Sequence, residues 1–301
     1  MTFPQLSAPT TEAADPALAD IDTLGVEARL RLINAEDAKV AAAVAIEIPQ
    51  IARAVRLAAA SLRAGGRLIY IGAGTSGRLG VLDASECPPT FGVPAPMVQG
   101  LIAGGPGAMF QAVEGAEDDP DLGASAVVGA EIGGRDTVVG ISASGSAPFV
   151  LGALRQAVKR GASVVALTNN RPSALESIAA VTIAPIVGPE ILAGSTRLKS
   201  GTAQKMVLNM LSTGAMMEIG KTYGNLMVDV QATNVKLRAR AVRIVRQVTG
   251  VTMDRAESAL LQAGGSAKVA IVLLQTGATP DEARLRLARA GGFLRRALAE
   301  K

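Results

Sequence analysis

The chain has 301 residues, 49% of them hydrophobic and only 2% aromatic, with no tryptophan and a formal net charge of +4. This suffices for one large α/β domain, alone or with a small helical one, and the scarcity of rings argues against single-stranded nucleic-acid binding, which stacks bases on aromatics. There is no histidine and a single cysteine, Cys87, which excludes histidine triads and relays, most zinc sites and disulfides within the chain. Acid–base chemistry must fall to Glu, Asp, Lys, Tyr or Cys87.

Residues 1 to about 17 hold Pro4, Pro9 and Pro16 among small polar residues and read as a tail. They lack a basic start followed by an apolar run, and no stretch of about 20 uncharged apolar residues follows. A soluble, cytoplasmic protein without a membrane partner is expected. From Asp22 to Arg63 apolar residues recur every three or four positions, among them Val40, Val44, Ile51 and Val55, with Pro49 separating two helices. Short β-branched runs follow, separated by helical stretches. Strands are predicted at Arg67–Ile71, Met97–Ile102, Thr137–Ile141, Ser163–Leu167 and Val181–Ile183, with a helix at Pro148–Lys159 whose first turn suits proline. Strands alternating with helices imply a parallel sheet covered on both faces, with ligands at the carboxyl ends of its strands.

A Met- and Leu-rich helix is predicted from about Thr202 to Ile219, its methionines core or subunit interface. Lys236–Arg246 alternates arginine with Leu, Val and Ile, as a solvated helix face does. Short helices follow at Ala256–Leu261, with Asp254 as cap, at Val269–Gln275 and at Pro280–Arg289.

Two loops carry chemistry. After the first strand, Gly72, Gly74 and Gly77 fit the dinucleotide pattern G-x-G-x-x-G. That fold also wants an acid about 20 positions on, where this chain reads Pro94-Ala95-Pro96-Met97-Val98-Gln99. Gly74, Thr75 and Ser76 instead place hydroxyls and free amides at a helix start, which favours a phosphate monoester. After the third strand, Ser142, Ser144 and Ser146 alternate with small residues, so hydroxyls and amides can converge on one anion.

Paired Gly/Ser loops after parallel strands resemble the sugar isomerase (SIS) domain, which binds phosphorylated sugars. The run from Gly188 to Lys205 looks like the signature shared by N-acetylmuramic acid 6-phosphate etherases and the glucokinase regulatory protein. It sets Ser195, Thr196, Arg197 and Lys199 before a long helix, as an anion-facing cluster or as a capped helix start with exposed cations. Leu82–Gly92, Ala103-Gly104-Gly105 with Val113–Asp118, Gly224–Val230 with Ala232-Thr233-Asn234, and Ile33–Asp37 resemble the etherase family more narrowly. The resemblance spans roughly residues 20 to 298. It departs at the start, where Thr11-Glu12 is followed by Ala13-Ala14 instead of the family's Arg-Asn pair.

The resemblance implies an α/β fold with a parallel five-stranded sheet flanked by helices (SIS, flavodoxin-like), preceded by N-terminal helices and followed by a small C-terminal helical module. The expected parts are 1–50, 51–239 and 240–301. It also implies a reaction: elimination of a lactyl ether at C3 of an open-chain sugar, with base abstraction at C2, acid protonation of the departing oxygen, and addition of water. Such chemistry needs two groups in opposite protonation states. By resemblance Glu86 is the acid and Glu117 the base; from the residues alone, Glu114 and Glu117 are not distinguished. Gly74, Thr75, Ser76, Ser142, Ser144, Ser146, Ser195, Thr196, Arg197 and Lys199 are the substrate-binding candidates. No metal or cofactor is expected, Cys87 reads as a small core residue, and a homodimer is implied. The rival reading is a non-catalytic sugar-phosphate sensor resembling the glucokinase regulatory protein.

Overall fold

A computed structural model describes residues 10–230 and 235–300. Pro4, Pro9 and the Ala232-Thr233-Asn234 segment lie outside the described residues. The chain forms two compact units, one running to Ser85 and resuming at Pro96–Ser212, the other made of Glu86–Ala95 and the chain from Thr213 onward. The second unit thus resumes at Thr213, inside a helix.

In the first unit, α1 (Val26–Asp37), α2 (Val40–Ile46) and α3 (Ile48–Arg63) precede β1 (Leu68–Gly72). Pro49 lies in the first turn of α3, where its missing N–H costs nothing, and the break falls at Glu47. Then come α4 (Gly74–Phe91), β2 (Val98–Ile102), α5 (Pro120–Gly129), β3 (Thr137–Ile141), α6 (Pro148–Lys159), β4 (Ser163–Leu167), β5 (Val181–Ile183) and α7 (Lys199–Glu218). Helix α5 is absent from the sequence reading, although Asp119 caps it by accepting from the Asp121 and Leu122 amides ahead of Pro120.

All strand pairs are parallel, in the order β2-β1-β3-β4-β5. Every residue of β1 and β3 is buried, as a sheet covered on both faces requires. One apolar core gathers Ile69, Ile71, Val138, Phe149, Leu154 and Val164 around these strands. At the amino end of the sheet the Arg67 guanidinium donates to both carboxylate oxygens of Asp136, at 3.2 and 2.8 Å, tying β1 to β3. The order reverses between β1 and β3, and such a switch point opens a crevice at the carboxyl ends of the two strands.

The second unit holds α8 (Val235–Thr249), α9 (Met253–Gln262), α10 (Ala267–Thr276), α11 (Pro280–Arg289) and α12 (Leu294–Ala299). Helix α8 buries Ala241, Val242, Ile244 and Val245 and exposes Arg238, Arg243 and Arg246. Thr252, not Asp254, caps α9: its hydroxyl accepts from the Arg255 amide, while Asp254 sits in the first turn. The interior of this unit contains Lys268, whose ammonium donates to Asp229 Oδ2 (2.6 Å) and to the carbonyls of Gly220 and Gly292 (both 2.8 Å). Burial lowers its pKa, and Asp229 opposes that shift. No single helix among the described residues is long and apolar enough to cross a membrane.

Candidate functional site

The crevice at the switch point is a cavity of about 340 Å³ whose lining includes Gly74, Thr75, Ser76, Ser142, Ser144 and Thr196, together with Glu12 and Glu117. Two loops shape it, one after β1 and one after β3. In the first, α4 begins almost as soon as β1 ends. A Cβ on Gly77 would stand 2.6 Å from the Gly72 carbonyl oxygen and 2.7 Å from Ile102, so only glycine lets the helix start pack this close to the strand. Gly74, Thr75 and Ser76 of that first turn line the crevice, and a helix start favours an anion. The buried Ser76 hydroxyl donates to Gln204 Oε1 (2.9 Å), and Gln204 donates to Asn169 Oδ1 (3.1 Å). Ser76 therefore offers an anion its amide, its hydroxyl proton being committed to α7.

In the second loop, Ser142 Oγ accepts from the Gly145 amide (3.1 Å) and lies 3.3 Å from Ser144 Oγ. Ser144 Oγ in turn accepts from the Ser146 hydroxyl (2.9 Å). Gly145 has φ 73°, and a Cβ there would stand 2.4 Å from that of Ser173. The Ala143 carbonyl accepts from the Asn169 amide (3.0 Å) and from Asn170 Nδ2 (2.8 Å), which fixes the loop onto the end of β4.

The structure thus brings together both loops and Thr196, and separates four other candidates from the lining. Ser146 is exposed and reaches the cavity only through Ser144. Ser195 is half-buried and Arg197 exposed, and neither lines the cavity. Lys199 departs furthest from an anion-facing cation: its side chain is 2% exposed and its ammonium lies 2.7 Å from Glu36 Oε2. That hydrogen bond is the largest cause holding the Glu36 carboxyl below its ordinary pKa. Buried Glu190 accepts from the Lys199 and Ser200 amides, both at 2.9 Å, capping the first turn of α7. Much of the Gly188–Lys205 signature is therefore scaffold.

Glu117 is exposed, yet the protein crowding its carboxyl and, secondarily, the charge of Asp118 raise its pKa. Glu114 does not line the cavity. Glu86 is exposed on α4. Its neighbour Asp83 is buried, accepting from the Tyr70 hydroxyl (2.8 Å), Asn209 Nδ2 (2.7 Å) and the Ser212 hydroxyl (3.1 Å). Burial raises the Asp83 pKa and these bonds oppose it. Cys87 is buried.

Sequence reasoning missed Glu12, Gln204 and the two asparagines after β4. Asn169 and Asn170 lie just past the predicted strand, separated from it by Thr168, where ligands gather, and that position was the available signal; for Glu12 the signal was the Thr11-Glu12 pair, which keeps the family's pattern before Ala13-Ala14 departs from it. Beside edge strand β2 lies a larger cavity of about 730 Å³, lined by residues such as Leu101, Ile102, Met109, Leu122 and Phe149 and by no titratable side chain. It cannot run acid–base chemistry. Among the described residues no group of three or more His, Cys, Asp or Glu is placed to hold a metal ion.

Residues 50–158 match the N-terminal SIS domain of glucokinase regulatory protein, residues 124–214 the SIS domain, and residues 224–268 the C-terminal lid domain of glucokinase regulatory protein. The N-acetylmuramic acid 6-phosphate etherase of Serratia proteamaculans is 56% identical over 293 residues, 97% of this chain and 99% of the relative. That of Pectobacterium atrosepticum is 55% identical over 288 residues, 96% of this chain and 95% of the relative. A putative phosphosugar isomerase involved in capsule formation from Bacteroides fragilis shares the fold, with a TM-score of 0.51 at 18% identity over 66% of this chain and 98% of its own.

Proposed function

The chain belongs to the N-acetylmuramic acid 6-phosphate etherase family, and from that premise we propose that it is a carbon–oxygen lyase converting N-acetylmuramic acid 6-phosphate and water to N-acetylglucosamine 6-phosphate and D-lactate. The observation that carries this reading is the crevice at the β1/β3 switch point, where two hydroxyl- and amide-rich loops meet a carboxyl of raised pKa. The phosphate sits on the amides of Gly74, Thr75 and Ser76 and on the hydroxyls of Ser142 and Ser144, with Thr196 closing the cradle. Ser146 orients Ser144. Ser195 and Arg197 act outside the cradle, and Lys199 acts through the helix it anchors.

With the sugar open, the C1 aldehyde acidifies the C2 proton and the Glu117 carboxylate takes it. The electron pair forms the C2–C3 double bond as the C3–O bond breaks, and the lactate oxygen leaves with a proton from Glu86. Water then adds at C3 and a proton returns to C2. A raised pKa makes ionised Glu117 a stronger base near neutrality.

Glu86 sits about three turns along α4 from Gly74, roughly 18 Å at the helical rise. One hexose phosphate does not span that length. We therefore assign Glu86 to the crevice of a second copy, which makes a homodimer the working unit, and place the enzyme in the cytoplasm, acting without a cofactor.

The regulatory sensor is disfavoured, because the relatives matched along nearly their whole length are etherases. The test is incubation with N-acetylmuramic acid 6-phosphate and assay of free D-lactate. The native protein should release lactate, Glu86→Ala and Glu117→Gln should do so at rates lower by roughly 10²–10⁴, and mixing the two variants should restore part of the rate. Sugar-phosphate binding with no lactate would overturn the enzyme reading.

A further inference from the structure

Thr10–Glu12 forms a short 3-10 turn that is pinned to the catalytic unit although the sequence places it in a tail. Thr11 is wholly buried. Its hydroxyl accepts from Asn170 Nδ2 (2.9 Å) and its amide donates to Asn170 Oδ1 (3.4 Å). Its carbonyl accepts from the Gly194 amide (3.2 Å). Asn170 is the residue whose Nδ2 also holds the Ala143 carbonyl of the serine loop, so one side chain fixes both the turn and the phosphate cradle. Gly194, with φ 75°, leaves room for the next residue: a Cβ there would stand 3.0 Å from Glu12 Oε2. Glu12 thereby reaches the lining of the crevice. No ion pair or hydrogen bond engages its carboxylate among the described residues.

An ionised carboxylate accepts hydrogen bonds and cannot donate one. It repels a phosphate, so in a phosphate crevice its use is to receive donors from another part of the ligand. A sugar phosphate carries such donors in its hydroxyls and acetamido N–H; inorganic phosphate brings no sugar donor. We propose that Glu12, delivered by the Thr11–Asn170 pin, is a specificity-determining residue that accepts hydrogen bonds from the amino-sugar moiety and makes the crevice prefer an amino-sugar phosphate to a bare phosphate. This rests on the sugar-phosphate reading of the crevice.

The experiment is calorimetric titration of the full-length native protein, Glu12→Ala and Thr11→Val with N-acetylglucosamine 6-phosphate and, separately, with inorganic phosphate. Glu12→Ala should weaken the sugar phosphate roughly tenfold to a hundredfold, the range for hydrogen bonds to a charged group. Inorganic phosphate should bind it equally well or more tightly. Thr11→Val should show the same selective loss, because it frees the turn while Asn170 still holds Ala143. Equal weakening of both ligands, or of neither, would overturn the role of Glu12. Failure of the native protein to bind the sugar phosphate would overturn the underlying reading as well, and is told apart because it needs no variant.

Discussion

In the α/β unit, polar side chains gather at the carboxyl end of the sheet, and Glu12, Glu117, Ser142 and Ser144 line a crevice there. In the helical unit, the buried Lys268 donates to three acceptors at 2.6–2.8 Å, and Asp229, one of them, also pairs with Lys221 at 3.3 Å. Both units bury a lysine, but Lys199 stands at the start of α7 beside the site, and Lys268 sits inside a helical core. A polar group left incompletely bonded at a cavity is available for a ligand, whereas one fully bonded in a core specifies packing. The crevice therefore belongs to the first unit, to which the second contributes Glu86 in the proposed reaction, and the buried polar cluster around Lys268 is structural.

That contrast can be broken at its strongest point by Glu117→Gln, which should lower kcat/KM for lactate release by roughly 10²–10⁴, as loss of a general base does. Because burial and Asp118 raise the Glu117 pKa, and the base must be ionised, the acid limb of the native pH–rate profile should lie above the ordinary glutamate range. A limb inside that range would remove Glu117 as the base.

The next effect is on stability. Glu36→Ala strands the Lys199 ammonium and should destabilise the protein by about 3 kcal/mol in urea unfolding, with Lys199→Met in the same chain recovering much of the loss. The Glu36 pKa is lowered in the fold. Its contribution is thus present above the ordinary glutamate value and lost as pH falls through the folded value, so the variant should flatten the acid-side slope of stability.

The smallest effect sharpens the comparison from the other side. Lys268→Met removes the three hydrogen bonds and should cost about 2 kcal/mol while leaving inorganic phosphate binding by the crevice unchanged. A selective loss of phosphate binding would place function in the helical unit too.

The strands were legible because each is a run of three to five residues carrying Val or Ile and set between helical or turn segments. β3, β4 and β5 keep their predicted bounds, and β1 and β2 begin one residue later than predicted. The two loops that line the crevice were legible for the same local reason, since the strand, the turn and the first helical turn are contiguous. The capping of α9 was misread between Asp254 and Thr252 because both are good caps, and only the backbone path selects one. Lys199 looked like an exposed cation because nothing local reveals that a carboxylate on α1 meets it.

By itself, then, the sequence determined the parallel α/β class, the absence of histidine chemistry, and the two hydroxyl-rich turns, all of which depend on neighbours in the chain. Tertiary structure alone decided that Lys199 is spent on Glu36, that Gln204 takes the Ser76 proton, and that Thr11 carries Glu12 into the crevice. Each of these joins residues more than a hundred positions apart, and such pairings are fixed by packing rather than by local pattern.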